Sequence, residues 1–190
     1  AATLGGTGAL SIAFNLFLDP AETVLLPSIM WGNYKLIAKK AGVKSDTYQL
    51  FNSEGKFNIT NLCSKIEEYS LNQKNILVVL NDPCQNPTGY CLSDEEHLKL
   101  IRKSKKISQE ELAEKLGVSR QSVSKWETGE NYPSMTNILC LCDIFKCKIN
   151  ELVHEDFIDI NSLDEETDVV YGKYNLKKQT PNILLWYKGI

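Results

Sequence analysis

The sequence predicts two folds in series, an α/β segment over residues 1–97 and an all-α segment of five helices over 98–153. In the first segment, apolar runs of strand length alternate with amphipathic helical stretches, which is the pattern of parallel strands joined by crossover helices. In the second segment the apolar spacing is helical throughout, and small polar residues stand at the helix starts. The first segment is therefore expected to form a partial three-layer parallel sheet.

The elements of the first segment follow from periodicity and from the residues that end each run. Apolar residues recur on one face in three helical stretches, and three short apolar or alternating runs lie between them. The predicted helices are Gly8–Leu18, Trp31–Lys40 and Thr60–Tyr69, and the predicted strands are Thr23–Leu26, Asp46–Phe51 and Asn75–Leu80.

Composition places the 190 residues among ordinary globular proteins. The chain is 43% hydrophobic and 24% charged, and its length suits one medium domain or two small ones. No apolar run approaches the ~20 residues that a membrane-spanning helix needs. The start at Ala1 has neither Met nor a basic region, so we expect no signal peptide and an internal start.

The net charge of −3 is a sum of opposing segments. The segment charges are −3 for 1–98, +4 for 99–150, −8 for 151–168 and +4 for 169–190. The basic middle segment is the candidate for contact with nucleic acid. We interpret 154–168 as an acidic linker and leave 169–190 as an unassigned tail, in which 169–171 and 183–187 could form short strands.

The six cysteines do not suggest a disulfide scaffold. None of them forms a C-x-x-C pair, and the chain is long for a disulfide-stapled fold. Cys140, Cys142 and Cys147 could form a thiolate metal site, but buried small apolar residues on a helix are the favoured interpretation. We therefore expect a reducing, cytoplasmic setting and assign no metal ligands.

Three motifs occupy loop positions of the α/β pattern. Gly5-Gly6-Thr7-Gly8 opens a helix, where backbone amides can approach an anion. Trp31 follows the first strand, and Asn86-Pro87-Thr88-Gly89 follows the third. Taken singly, these are a plain turn, a core aromatic residue and a Pro/Asn-rich loop.

Taken together, in this order and spacing, the three motifs are specific. Residues 1–97 resemble the large domain of class I/II aminotransferases of fold type I, in the aspartate and aromatic branch, which use pyridoxal phosphate. The resemblance implies that Gly6 and Thr7 hold the cofactor phosphate, that Trp31 stacks on the pyridine ring, and that Asn86 binds the phenolic oxygen. It also implies cis peptides before Pro27 and Pro87.

The departures from that family concern the catalytic residues. After Gly89 the sequence contains no motif for the Schiff-base Lys, for the Asp that pairs with the pyridine nitrogen, or for the Arg that binds the substrate carboxylate. Lys146 and Lys148 have nearly the right separation but an unrelated context. We therefore assign no catalytic residue and expect an incomplete, inactive aminotransferase segment.

A helix-turn-helix pattern begins where this resemblance ends. Ser93 and Ser108 each start a capping box, Gly117 stands where a left-handed turn residue is needed, and Ser119 can cap the next helix. The apolar positions Leu112, Leu116, Val123 and Trp126 face one core. The alternative is a charged surface hairpin, which explains fewer of these positions.

The segment from Leu98 to Val153 resembles the phage repressor/Cro-type (XRE-like) helix-turn-helix family. The resemblance, with outward-facing positions on the second helix, implies contacts to DNA. Gln109 and Thr128 are expected at phosphates, and Arg120, Gln121 and Lys125 at base edges. The residues assigned to DNA binding are Gln109, Ser119, Arg120, Gln121, Ser122, Lys125 and Thr128.

The sequence thus predicts a chimera, with the junction inside a helix near 98–102. The favoured function is sequence-specific binding of double-stranded DNA by a transcriptional regulator, with a homodimer as a further expectation and no membrane partner. The alternative is a pyridoxal-phosphate-dependent aminotransferase that retains some cofactor binding.

Overall fold

The computed structural model describes residues 5–149, residue 152 and residues 182–189, the last as backbone. The chain divides into two compact units. Unit 1 comprises Ala1–Leu92 and Pro181–Ile190, and unit 2 comprises Ser93–Thr180. The predicted acidic linker over 154–168 and the possible strand over 169–171 lie outside the described residues.

Unit 1 is an α/β layer structure, as the alternating pattern predicts. Its elements in chain order are α1 (Gly5–Phe17), β1 (Thr23–Pro27), α2 (Asn33–Lys40), β2 (Lys44–Tyr48), α3 (Ile59–Ser70), β3 (Asn75–Asp82) and β4 (Asn182–Gly189).

The sheet of unit 1 has the strand order β2-β1-β3-β4. β1 runs parallel to both of its neighbours, with Val24 opposite Ser45 on one side and Leu77 on the other. Because the chain moves one way from β1 to β2 and the other way from β2 to β3, right-handed crossovers place α2 and α3 on opposite faces. The possible strand at 183–187 is confirmed as β4, which pairs antiparallel with the whole of β3.

The core of unit 1 lies between α1, α2 and one face of the sheet. Leu10 and Phe14 of α1, Ile37 of α2, and Val24 and Leu77 of the strands belong to one buried cluster. β1 and β3 are buried at every position. Such strands are covered on both faces, which explains their continuous apolar sequences.

Two sequence predictions in unit 1 need correction. β2 ends at Tyr48 rather than Phe51, because the Leu50 N–H turns to the Ser28 Oγ and Phe51 pairs with Phe57. Among the described residues, cis peptides precede Pro83 and Pro87, so the expectation at Pro87 is confirmed and that at Pro27 is wrong. The chain stays extended through Pro27, and the next N–H still pairs with β2.

Unit 2 is helical, with α4 (Asp94–Ser104), α5 (Gln109–Leu116), α6 (Arg120–Thr128) and α7 (Met135–Phe145). Both predicted capping boxes are present, at Ser93 with Glu96 and at Ser108 with Glu111. The predicted fifth helix at 149–153 falls largely outside the described residues. Leu152, which is described, is buried and donates its N–H to the Ile149 carbonyl.

The core of unit 2 contains the apolar residues that the pattern selected. Its buried members are Leu98, Leu112, Ala113, Val123, Trp126, Ile138, Leu141, Phe145 and Leu152. The cysteine interpretation is right only in part. Cys142 and Cys147 pack against this core, whereas Cys140 is exposed, because it lies on the outer face of α7.

No helix within the described ranges is long and apolar enough to cross a membrane. In the same ranges, no group of three His, Cys, Asp or Glu side chains is arranged to hold a metal ion.

Candidate nucleic-acid interface

The turn between α5 and α6 sets the angle at which α6 is presented. Gly117 ends α5 with a φ of 67°, a left-handed conformation that glycine adopts at low cost. The Val118 N–H returns to the Ala113 carbonyl, and Ser119 caps α6 by accepting from the Ser122 N–H at 3.1 Å. Both ends of the turn are therefore fixed by local hydrogen bonds.

One face of α6 is anchored in the core and the other is free for contact. Val123 and Trp126 are buried, at 0% and 5% exposure. The residues assigned to DNA binding that are exposed in this region are Ser119, Arg120, Gln121, Lys125 and Thr128. Ser122 is half-buried, and its hydroxyl lies 2.9 Å from that of Ser119. The first turn of α6 holds no acidic residue, so its amides keep their attraction for anions.

Arg120 is paired on the surface of unit 2. Its Nε lies 2.7 Å from Oε1 of Glu110, a residue of α5, and both side chains are more than 60% exposed. Such an exposed ion pair contributes little to stability, typically ~0.2–1 kcal/mol. The guanidinium can therefore exchange this partner for another acceptor at small cost.

Gln109 and Thr128, the two expected phosphate contacts, are engaged with protein groups. The Gln109 side-chain amide donates to Oε2 of Glu127 at 2.9 Å. The Thr128 hydroxyl lies 3.3 Å from the Lys125 carbonyl oxygen and 3.1 Å from the Glu130 carboxylate, and its one proton is shared between these acceptors. Gln109 is half-buried, whereas Thr128 is exposed at the end of α6. Their assignment to phosphates stays a prediction.

A buried ion pair between Arg102 and Glu127 holds the helices that carry these residues, and the sequence analysis did not predict it. Arg102, which belongs to the basic segment 99–150, is 7% exposed and holds Glu127 through its Nε and Nη2 atoms. Its Nη1 donates to the Ile107 carbonyl at 2.6 Å. The pair ties α4, the α4–α5 turn and α6 together. One signal was available, because Arg102 stands four residues after Leu98 and so shares its inward face.

The assigned cofactor residues of unit 1 lie at the carboxyl edge of its sheet. Trp31 and Asn86 follow the carboxyl ends of the neighbouring strands β1 and β3, and the Gln85 side-chain amide joins these loops by donating to the Ile29 carbonyl at 2.7 Å. α1 packs on the sheet and leads into β1 through a short turn, so Gly6 and Thr7 at its start belong to the same edge.

The accessible groups at this edge fit only part of a pyridoxal phosphate site. Gly6, Thr7 and Asn86 are exposed, and the half-buried Trp31 ring meets Tyr34 edge-on at 5.8 Å. Asn81, at the end of β3, has a buried Oδ1 without a hydrogen-bond partner. The exposed Gly6, Thr7 and Asn86 and the Trp31 ring suit the non-covalent contacts of such a cofactor. Beyond Leu92, the next described elements along the chain are the helices α4–α7 of unit 2.

Two families match the chain, and their matches overlap. Residues 1–108 match "Aminotransferase class I and II", and residues 98–152 match "Helix-turn-helix". The overlap, 98–108, covers most of α4 and the turn that follows it. One helix thus continues the first family's pattern while it supplies Leu98 and Arg102 to the core of the second.

The individual proteins that the chain resembles also fall into these two groups. Over 84 residues the chain is 40% identical to the HTH-type transcriptional activator BcrR of Enterococcus faecalis, which covers 44% of this chain and 38% of that protein. Over 88 residues it is 34% identical to an aspartate aminotransferase of Musicola paradisiaca (strain Ech703), which covers 46% of this chain and 21% of that protein. The chain therefore spans well under half the length of either relative.

A solved structure supports the fold of unit 1. The aminotransferase from Anaerococcus prevotii DSM 20548 is 31% identical and superposes with a TM-score of 0.51, covering 55% of this chain and 26% of that one. The fold of unit 1 thus corresponds to about a quarter of that larger aminotransferase. Members of this family typically use pyridoxal phosphate.

Proposed function

Because the chain belongs to the class I and II aminotransferase family over residues 1–108 and carries a repressor-type helix-turn-helix over 98–152, we propose that it is a transcriptional regulator that binds double-stranded DNA in the cytoplasm. The observation that carries the proposal is the exposed face of α6. Arg120, Gln121 and Lys125 stand together there on a helix whose opposite face is fixed by Val123 and Trp126.

In the proposed complex α6 enters the major groove. Arg120 leaves Glu110 and donates two hydrogen bonds to a guanine, while Gln121 pairs with an adenine. Each such contact discriminates against the wrong base by ~1–3 kcal/mol. The amides at the start of α6, with Ser119 and Ser122 beside them, face a phosphate. Gln109 and Thr128 contact further phosphates of the DNA, and these contacts fix the register of the protein on the duplex.

We propose further that the chain binds as a homodimer on two half-sites. A module of this size buries a limited surface, and two copies about one helical turn of DNA apart, ~34–36 Å, would read a palindrome. Unit 2 carries the basic segment, +4 over residues 99–150, that gives such binding its salt dependence.

The proposal is tested by selection from a pool of random duplexes with the full chain. We expect one palindromic sequence to be enriched and to be bound ~10³-fold or more tightly than a scrambled duplex. Lys74→Ala, which removes an exposed charge from unit 1, should enrich the same sequence. If the selected pool stays random, or if enrichment survives replacement of both Arg120 and Gln121 by Ala, the proposal is wrong.

A second candidate function, non-covalent binding of pyridoxal phosphate by unit 1, is favoured by the grouping of Gly6, Thr7, Trp31 and Asn86 at one sheet edge. When bound, the cofactor supplies an electron sink for amino-acid chemistry. The corresponding contacts here are a phosphate at the start of α1 and a phenolic oxygen at Asn86. No residue is assigned to the covalent link, so we propose binding without transamination.

The cofactor proposal is tested by mixing the full chain with pyridoxal phosphate and reducing the mixture with borohydride. We expect a weak quenching of Trp fluorescence that Asn86→Ala diminishes, and no cofactor trapped on a Lys of the tryptic digest. A stoichiometric adduct on one Lys would contradict the assignment and favour an active enzyme.

A further inference from the structure

Two cysteines face each other across the hairpin that follows β3. Cys84 and Cys91 are both exposed, and their Sγ atoms lie 3.7 Å apart. Neither is part of the groups assigned above to DNA or to cofactor. The other four cysteines lie on helices or in the loop after α7, as Cys63, Cys140, Cys142 and Cys147.

The backbone of the hairpin holds the two cysteines in opposite positions. The Gln85 N–H donates to the Tyr90 carbonyl at 2.7 Å, and the Gly89 N–H donates to the Gln85 carbonyl at 2.6 Å. Cys84 and Cys91 are the next pair outward, and the Leu92 N–H is fastened to the Asp82 carboxylate at 2.8 Å. The two Sγ atoms, 3.7 Å apart, need to approach by less than ~2 Å to reach the ~2.05 Å of a disulfide bond.

The environment distinguishes the two thiols. The Cys84 N–H donates to the Cys91 Sγ at 3.1 Å, and the Cys91 thiol donates to the Gly89 carbonyl at 3.7 Å. The hydrogen bond with Cys91, followed by the charge of Cys91, raises the pKa of the Cys84 thiol. Because the thiolate is the attacking species, the raised pKa of Cys84 disfavours it as the first nucleophile, so the first attack is assigned to Cys91.

We propose that Cys84 and Cys91 form a reversible intramolecular disulfide by exchange with a low-molecular-weight disulfide. The Cys91 thiolate attacks one sulfur of the oxidant, whose S–S bond breaks and releases one thiolate that takes up a proton. Cys84 then loses its proton and attacks the Cys91 Sγ, releasing the second thiol. Two protein thiols are oxidised and one small disulfide is reduced to two thiols.

The closed ring would enclose residues 85–90, the segment that carries Asn86. Oxidation would therefore constrain the loop assigned to the phenolic oxygen of the cofactor. The proposal itself does not depend on cofactor or DNA binding, because its chemistry needs only the two thiols and the hairpin.

The test is to equilibrate the full chain in glutathione buffers of rising glutathione disulfide content, quench with acid, alkylate and digest with trypsin. No Lys or Arg lies between Asn75 and Leu98, so both cysteines fall on one peptide, 75–99. We expect that peptide to become lighter by two hydrogens and to resist alkylation. Half-oxidation should need at least about tenfold less glutathione disulfide than modification of the exposed Cys140, since the second step is intramolecular.

The matched variants are Cys91→Ser and Cys140→Ser. The first should leave Cys84 alkylated or joined to glutathione, and the second should leave the oxidation of peptide 75–99 unchanged. Dithiothreitol should restore both thiols. The proposal is overturned if the wild-type peptide keeps two alkylated thiols until Cys140 is modified, or if it accumulates glutathione adducts in place of the internal disulfide.

Discussion

At the scale of single residues, the buried pair Arg102–Glu127 is the feature on which the proposed interface most depends. Both side chains are under 10% exposed, and the guanidinium also holds the Ile107 carbonyl while Gln109 holds the carboxylate. A buried pair of this kind adds little over an apolar pair, but the loss of one partner leaves an unpaired buried charge. The pair therefore fixes the geometry of α4, α5 and α6.

Glu127→Ala is expected to lower the free energy of unfolding of unit 2 by ~3–5 kcal/mol, since Arg102 would stay buried without its partner. Native-state hydrogen exchange at the buried amides of Leu112 and Val123 measures this change within unit 2. Glu114→Ala, which removes an exposed carboxylate from α5, should change it by less than ~0.5 kcal/mol. Equal effects of the two substitutions would contradict the role given to Glu127.

In unit 1, the Asp46 carboxylate makes a pH-dependent contribution to the stability of the fold. Lys65, whose Nζ lies 2.8 Å from Oδ2, is the main cause that lowers the pKa of Asp46 below its ordinary value of 3.8, with help from the Thr47 N–H and the Tyr69 hydroxyl. A carboxyl with a lowered folded pKa stabilises the fold above its unfolded pKa, and loses that contribution as the pH falls through the folded value.

Asp46→Asn should therefore lower the melting temperature of unit 1 at pH 7, and should lower it less or not at all near pH 2. The effect is modest, because the side chain is 34% exposed and screened by solvent. Asp19→Asn, at an exposed turn, is the control. If Asp46→Asn lowered the melting temperature equally at both pH values, the stabilising contacts of Asp46 would not depend on its charge.

At the scale of elements, the turn between α5 and α6 depends on one glycine. Gly117 has a φ of 67°, and no atom lies within 4 Å of the position that a Cβ would take. The cost of replacing it is therefore conformational rather than steric. Gly117→Ala should destabilise unit 2 by ~1–2 kcal/mol, as read from urea denaturation.

Gly117→Asn is the matched variant, because Asn tolerates the left-handed region better than Ala. We expect it to lose less stability than Gly117→Ala. If the two variants were equally stable, or if Gly117→Ala were the more stable, the left-handed backbone conformation would not explain why glycine occupies position 117.

The elements of this chain were largely predictable because their signals are local. Capping boxes at Ser93 and Ser108, the glycine after α5 and the continuous apolar run of β3 each specify an element from neighbouring residues. The end of β2 was not predictable in this way, because a hydrogen bond from Leu50 to the Ser28 hydroxyl, 22 residues away, turns the chain. The burial of Arg102 likewise depends on Glu127, 25 residues away.

Only part of the candidate interface was predictable from the sequence. The exposure of Arg120, Gln121 and Lys125 follows from the inward positions of Val123 and Trp126 on the same helix. The engagement of Arg120 by Glu110 and of Gln109 by Glu127 does not, because both pairs join different elements. Periodicity shows which face of a helix is free, whereas tertiary contacts decide which side chains on it are already engaged.

At the scale of the whole molecule, the average composition conceals two unlike units. The net charge of −3 combines basic segments at 99–150 and 169–190 with acidic segments at 1–98 and 151–168. The aminotransferase match and the helix-turn-helix match share most of α4, so the division between the families falls within an element rather than in a linker. The proposed DNA binding belongs to unit 2, and the proposed cofactor contacts belong to unit 1.

The central claim is that α6 reads DNA sequence, and the most direct measurement is a fluorescence-anisotropy titration of the full chain and Arg120→Ala. The probes are the selected duplex and its single-base-pair variants, at fixed salt. We expect Arg120→Ala to lose ~1–3 kcal/mol on the selected duplex and to lose discrimination at one G·C pair, with the other positions still read. Unchanged affinity and unchanged discrimination at every position would contradict the claim.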